Sequence, residues 1–432
     1  MTPPEIDPRF TRLEEENKRL RRAVDELSII NEVASAVTST WSLDEIVDSI
    51  VQKCVKHLNV EQGVVLLFGK QDEPDALRTM VRRVDSEVGT IPYRLGDQLN
   101  GWMLKNQQPL VIDDLAADER FRLSDDVDNN IRSLMCVPLR AKARMMGVLI
   151  VFNKRSGKPF TESNQRLLTI IAAQSAQVIE TARLYEEEKS LQLMQQEMEL
   201  ARGIQANLLP KSHPSVPGYD IAGTSVSAAN VGGDYYDFLP NEDRLIVCLG
   251  DVSGKGMPAS LLMANMQATI RGQNLVSSSA AECMSRSNRL MFQSTDSAKF
   301  VTFFYGILDI EGRTLEYSNA GHNPPILFSK GQETRLETGG PVLGVLPDFP
   351  YQQASVELTP GDLLLIFSDG FSEAMNGRFE EFGEDQLARI ANENRGDSAA
   401  DLIEKMSQAV IAHTGDEPQT DDMTIVAVRV DA

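Results

Sequence analysis

The sequence predicts an α+β multidomain chain of four parts: a coiled coil, a mixed α/β module, a helical linker, and an α/β/β/α sandwich of two stacked sheets with helices outside. Three observations predict it. Apolar residues spaced by three and four open the chain, a helix–strands–helix pattern follows, and the C-terminal half mixes short apolar strands with long helices. That last part lacks a βαβαβ rhythm, which disfavours a doubly wound sheet. At 432 residues the chain also exceeds one compact core.

The first part spans 1–26. Phe10, Asn17, Val24 and Asn31 fall on the a positions of a heptad, and Leu13, Leu20, Leu27 and Ala34 on d. Asn at a with Leu at d favours a parallel two-stranded coil in fixed register, hence a homodimer. The plainer alternative is one amphipathic helix packed on the next domain.

The second part spans 27–185. Thr40 or Ser42 can cap a helix over 43–58, whose Ile46, Val47, Ile50, Val51 and Val55 share a face. Strands are expected at 62–68, 110–112, 133–138 and 147–152, and Thr161 opens another capped helix. A mixed sheet between two helices results, with no catalytic constellation inside it.

The linker, 186–211, belongs to a polar helix over 182–209 that carries two apolar stripes. One is Leu191, Met194, Met198, Ala201 and Leu208; the other is Leu193, Leu200, Ile204 and Leu208. A helix able to present either seam can change partner between states, and the plain alternative is an inert spacer. Pro210, Pro214 and Pro217 end it, and Gly218 opens the last part, which spans 212–432. Its strands are expected at 219–225, 237–238, 245–249, 301–308, 314–319, 325–328, 362–367 and 423–430, with helices at 258–274, 280–293, 383–394 and 398–414.

Composition bounds the function. A net charge of −21 argues against nucleic acid, because a binder neutralises phosphates with Lys and Arg. Acidity serves solubility equally well. The four cysteines, Cys54, Cys136, Cys248 and Cys283, form no C-x-x-C pair and read as buried free thiols. The first residues lack an apolar signal core, and no apolar run approaches the roughly 20 residues of a membrane span. A cytoplasmic protein with no membrane contact is expected.

The chemistry is carried by four acidic motifs. Gly232–Asp237 reads GGDYYD and supplies Asp234 and Asp237 beside two glycines; LGDVSGKGMPA places Asp251 at the end of an apolar strand. FSDG places Asp369 after LLLIF, and TDDMT places Asp421 and Asp422 before the terminal strand. A single Asp-Gly after a strand is usually a turn. Four such motifs in one unit point elsewhere, because converging carboxylates repel unless cations compensate. All-oxygen ligands select Mg²⁺ or Mn²⁺ over zinc. Two such ions roughly 3.5–4 Å apart serve phosphoryl transfer to water. Only four His occur and no G-x-S-x-G, which disfavours a nucleophile triad.

Two resemblances sharpen these readings. ELSIINEVASAVTSTWSLDEI, SLMCVPLR, MMGVLIVFNK and FTESNQRLLTIIAAQSAQVIETARLY resemble a GAF domain, which implies a mixed α/β sensor for an unknown small ligand or protein. Cyclic-nucleotide-binding members carry an acidic pair where Asn164 and Gln165 stand, although Asn153, Lys154 and Phe160 fit their motif. The acidic motifs, with ELARGIQANLLP, FVTFFYGILD, YSNAGHNPP, GGPVLGVLPD and GDLLLIFSDGFSEA, resemble the SpoIIE-like branch of the PPM serine/threonine phosphatases. That resemblance implies a PPM-type α/β/β/α sandwich and two Mn²⁺ or Mg²⁺ ions. Asp251 would bridge both ions, with the Val252 carbonyl on one and Asp369 and Asp421 on the other. Asp234 would act directly or through water, and Asp422 is the alternative to Asp421. It further implies a phosphoserine or phosphothreonine substrate, typically a STAS-type anti-anti-sigma partner in a partner-switching cascade.

A catalytically silent scaffold is the alternative from another class, but it would have lost an acidic position and none is lost. His322 is read as stabilising a turn. Lys255 sits in a glycine-rich loop without the P-loop pattern. No basic residue near the phosphate is evident.

Overall fold

The computed structural model describes residues 43–68, 77–83, 96–118, 120–121, 131–142, 144–241, 243–295 and 299–431, with helical positions 12, 13, 16, 17 and 20 before them. Apart from those positions, the seam expected over 1–26 lies outside the described residues. The chain forms two compact units, Met1–Gln192 and Leu193–Ala432.

In the first unit, helix α1 (Leu43–Leu58) leads into β1 (Val60–Phe68) and β2 (Leu77–Arg83). Helix α2 (Gly96–Asn106), β3 (Leu110–Ile112), β4 (Leu134–Ala141) and β5 (Arg144–Lys154) follow. The strand order is β2-β1-β5-β4-β3, and every pairing is antiparallel. The expected mixed sheet is thereby corrected: β1–β2, β3–β4 and β4–β5 pair as consecutive antiparallel neighbours, and β5 closes on β1 antiparallel as well. Alternation along β5 sends Leu149 and Val151 to the face covered by α1, and Val148, Ile150 and Phe152 to the face covered by α2.

The Asn-Lys-Phe motif of this unit closes a turn. Asn153, at φ 53°, accepts the Arg132 N–H at 2.8 Å and donates to Glu61 at 2.7 Å. Lys154 donates to the Pro159 carbonyl and the Asn164 side chain at 3.0 and 2.8 Å. Thr161 and Asn164 exchange reciprocal bonds, a capping box with Asn at its third helical position. These residues hold the entry to helix α3 (Glu162–Ala206).

Helix α3 is one uninterrupted element of 45 residues, with no break at 185. Its sensor-side residues Leu168, Ile171, Ala172, Ala176 and Ile179 are core. Leu191, Leu193, Met194, Leu200 and Ile204, from both apolar stripes, are each more than half exposed.

The second unit stacks two sheets. Strands β6 (Tyr219–Val226), β7 (Tyr235–Asn241), β8 (Arg244–Val252), β9 (Val301–Asp309), β10 (Thr314–Ala320) and β11 (Ile326–Ser329) come first. Then come β12 (Gln332–Arg335), β13 (Gly339–Gly340), β14 (Ala354–Glu357), β15 (Leu363–Phe367) and β16 (Met423–Val430). One sheet runs β13-β10-β9-β8-β7 with β14 on β10; the other runs β12-β11-β15-β16-β6. Period-two burial builds three layers from these strands. Leu245, Val247 and Leu249 face Ile221, Leu364, Ile366 and Val426 between the sheets. Ile246 and Cys248 face outward to Met263, Met266 and Met284, carried by α4 (Met257–Asn274) and α5 (Ala280–Ser294).

The second sheet is covered the same way. Outside its strands lie α6 (Asp369–Ser372), α7 (Glu384–Glu393) and α8 (Ala399–Thr414). Ser279 and Ser398 cap α5 and α8 by accepting the Glu282 and Asp401 amides. All four cysteines are free and buried. Among the described residues no helix is long and apolar enough to cross a membrane.

Candidate metal centre

Strand register brings the acidic motifs to one end of the sandwich. Tyr235 pairs with Gly250, so Asp234 stands beside Asp251 at the mouth of the first sheet. In the second sheet Phe367 pairs with Ile425, so Asp369 follows one strand where Asp421 and Asp422 precede its neighbour. Buried Ser368 straps the two loops together. Its hydroxyl accepts the Thr424 N–H at 2.9 Å and donates to the Asp422 carbonyl at 3.1 Å. Gly370 must be glycine there, because a Cβ would run into the Asp422 carbonyl.

Asp422 joins the sheets. One carboxylate oxygen accepts the Ala228 N–H at 2.8 Å; the other accepts Gly233 N–H at 2.5 Å and Asp234 N–H at 3.3 Å. It is buried and occupied with backbone donors, whereas Asp421 has a 41% exposed side chain. The two adjacent aspartates thus differ: Asp422 orients the GGD loop, and Asp421 stands at the surface beside Lys255. The Val252 carbonyl faces that loop, 2.9 Å from where a Cβ on Gly233 would stand.

Asp234 is the least satisfied group. It is 4% exposed, and neither carboxylate oxygen has a hydrogen-bond partner. Burial, then the charge of Asp251, pushes its carboxyl well above the usual range. Asp251 is pushed up to about 7 by burial, then by Asp369 and Asp421. Asp369 is raised by burial and then by Asp421. A buried ionised carboxylate without partners costs several kcal/mol, so such a set retains its charge only beside cations. The donors are all oxygen, which fits Mg²⁺ or Mn²⁺. Among the described residues no three acidic side chains close on one point.

Three residues take roles that their local sequence does not declare. Asp237 is structural: it accepts from Arg271 at 2.8 Å and from the Tyr235 hydroxyl at 2.7 Å. Lys255 lies beside the acidic set, with Nζ 3.0 Å from Asp421, and is a basic group where none was expected. Gln205, buried in the last turn of α3, donates to the Gly232 carbonyl at 2.7 Å and accepts its N–H at 3.0 Å. The stretch ELARGIQANLLP marked this region, but nothing in it singles out Gln205.

The His322 reading is corrected. The turn is held by Asn319, whose side chain accepts the His322 N–H at 2.8 Å and donates to its carbonyl at 3.1 Å. The ring instead reaches Thr302 at 3.0 Å, because the turn places it between the sheets. Burial lowers its pKa to about 4, so it is neutral near pH 7 and carries no proton to donate as an imidazolium.

Comparisons with known proteins place the two halves of the chain. The family described as Stage II sporulation protein E (SpoIIE) matches residues 241–431, and the GAF domain family matches 41–180. The phosphoserine phosphatase RsbU of Bacillus subtilis (strain 168) is 30% identical over 253 residues, covering 57% of this chain and 74% of RsbU. Protein IcfG of Synechocystis is 30% identical over 261 residues, 54% of this chain and 41% of IcfG. The SiaA-PP2C domain of Pseudomonas aeruginosa shares the fold at a TM-score of 0.50 and 23% identity, covering 56% of this chain and 99% of that domain. With its acids gathered where the two sheets end, and with RsbU matched over most of its length, the chain belongs to the SpoIIE family of serine/threonine phosphatases, preceded by a GAF domain.

Proposed function

We propose that this phosphatase uses two Mn²⁺ or Mg²⁺ ions to dephosphorylate a phosphoserine or phosphothreonine regulatory protein of the STAS type, under control of its GAF domain. The observation that carries the metal reading is buried Asp234, without a partner for either oxygen, beside Asp251. Asp251 would hold both ions, the Val252 carbonyl one of them, and Asp369 and Asp421 the other. Asp234 would complete the set directly or through water. The ions would supply charge for the phosphoryl oxygens and acidify the attacking water.

The chain's own residues supply the rigid frame. Asp422 and Ser368 fix the two acidic loops against each other, and Gln205 fixes Gly232. Lys255 adds a positive charge at the mouth for an anionic substrate. The STAS partner rests on the SpoIIE-type resemblance, and the name of RsbU supports a phosphoserine. In domain terms we infer a dimerising coil over 1–26, the sensor over 27–185, the signalling helix over 186–211 and the catalytic domain over 212–432.

The test is hydrolysis of an aryl phosphate. Turnover should require Mn²⁺ or Mg²⁺ and fall to background in Asp251→Asn and in Asp369→Asn. Activity retained in both variants, or in excess chelator, removes the two-ion assignment. Incubation with the phosphorylated STAS proteins of the same genome then tests the partner. If none is dephosphorylated while the aryl phosphate is turned over, the physiological substrate lies elsewhere.

A further inference from the structure

A short hairpin projects between α6 and α7. Its bridge pairs Met375 with Glu381, and Asn376 stiffens it. The Asn376 side chain accepts the Arg378 and Glu380 amides at 2.9 and 3.1 Å, while its backbone exchanges bonds with Glu380 and Phe379. His413 pins the base, with Nε2 2.9 Å from the Glu380 carbonyl and its ring edge-on to Phe382. The tip holds Phe379 at φ 62°, in the left-handed region that a bulky residue rarely adopts, and leaves the residue 86% exposed. The hairpin thus holds one exposed aromatic ring in a fixed, strained turn.

Behind the hairpin lies a groove of about 190 Å³. Ala374, Met375, Val410, Ile411, Pro418 and Met423 make its apolar lining. Ile411 is 64% exposed along it. The groove also touches Gly370 and Thr420, the chain neighbours of Asp369 and Asp421. Through those two residues the groove reaches the loops that carry the acidic set. Exposed Glu373, Glu381 and Glu417 stand around the groove and hairpin. An acidic segment would be repelled there, and an apolar one would bury.

We infer that this groove and the Phe379 hairpin dock the substrate segment next to its phosphorylated residue, by taking an apolar side chain within a few residues of it. The inference rests on the metal-centre reading, since that places the phosphate beside Gly370 and Thr420. It does not depend on the partner being a STAS protein. An apolar anchor beside a charged catalytic site confers selectivity for protein substrates that a small phosphate ester cannot exploit.

Two phosphoserine decapeptides test it on the full chain with Mn²⁺, one with leucines on both sides of the phosphoserine and one with aspartates. The wild type should prefer the leucine peptide by about 10-fold or more in kcat/KM, mostly through KM, as one buried anchor is worth that much. Ile411→Glu and Phe379→Ala should each bring the two peptides within about threefold, with aryl phosphate turnover changed less than about twofold. Equal rates on both peptides in the wild type overturn the docking groove, as does turnover of the aryl phosphate with neither peptide cleaved. Undiminished preference in both variants overturns it too. A fall in oligomeric mass of either variant by sedimentation would reassign the surface to a contact between copies. Loss of aryl phosphate turnover in the wild type would instead remove the metal-centre reading.

Discussion

Asp251 contributes a pH response to the acidic cluster that can be followed in stability. Burial and the neighbouring charges of Asp369 and Asp421 raise its carboxyl to about 7, whereas an unfolded aspartate titrates near ~3.9. Between those values the folded chain holds a proton that the unfolded chain has lost. Its contribution to stability is therefore full below the unfolded value and lost as pH rises through 7. On the proposed two-ion reading, cations would reverse this penalty by binding the ionised form. The rise in melting temperature given by millimolar Mn²⁺ should accordingly grow from pH 5.5 to pH 8 in thermal denaturation. A pH-independent increment would show that Asp251 takes no part in binding. Gln205 acts at the same scale without touching an ion. Gln205→Leu orphans the buried N–H and carbonyl of Gly232, at about 1–3 kcal/mol each. Calorimetry should then find weaker Mn²⁺ binding together with lower unfolding free energy. Unchanged Mn²⁺ affinity would show that Asp422 alone orients the GGD loop.

Helix α3 is the element through which the proposed control would run. It is continuous from Glu162, beside the sensor core, to Ala206, one residue after Gln205. Leu191 and Met194 of one stripe and Leu193, Leu200 and Ile204 of the other are exposed, so each stripe offers apolar surface to another helix. A helix that can pair by either stripe is a two-state element, and a bias of a few kcal/mol between the pairings would set how firmly Gln205 holds Gly232. Met194→Leu with Met198→Ile strengthens one stripe, and charged replacements at Leu193 and Leu200 weaken the other. Both sets should drive aryl phosphate turnover the same way, up or down. Rates within about twofold of wild type in both would reduce the helix to a tether.

At the scale of the whole molecule, assembly is the quantity to measure. Asn17 and Asn31 at a positions of the N-terminal seam favour a parallel pair, and the bare stripes of α3 offer a second length of contact. Light scattering at micromolar concentration should return the mass of a dimer; a monomer mass would discard the coil. Asn17→Leu should raise thermal stability while broadening the distribution of oligomeric states, because a buried Asn trades stability for register. The net charge of −21 opposes close approach of two copies, so dimerisation should strengthen with salt.

What the sequence determined by itself was everything set by short range. The continuous apolar runs LIVCLG and LLLIF marked two buried strands; Ser398 marked the start of α8; and the Asp-Gly pairs marked acids at strand ends. Period and capping are local, so a few neighbouring residues suffice to read them. Strands β12, β13 and β14 escaped, because two to four residues at a sheet edge carry no period. Strand β2 and helix α2 escaped as well, and the hairpin pairings decided the antiparallel sheet of the sensor. Only the tertiary structure separated Asp421 from Asp422, identical neighbours told apart by Ala228 and Gly233 amides nearly two hundred positions away. It likewise decided the roles of Lys255 and Gln205 and the direction of the His322 ring. Each of these depends on which loops the two packed sheets bring together, and that juxtaposition exists only once the core between them has formed.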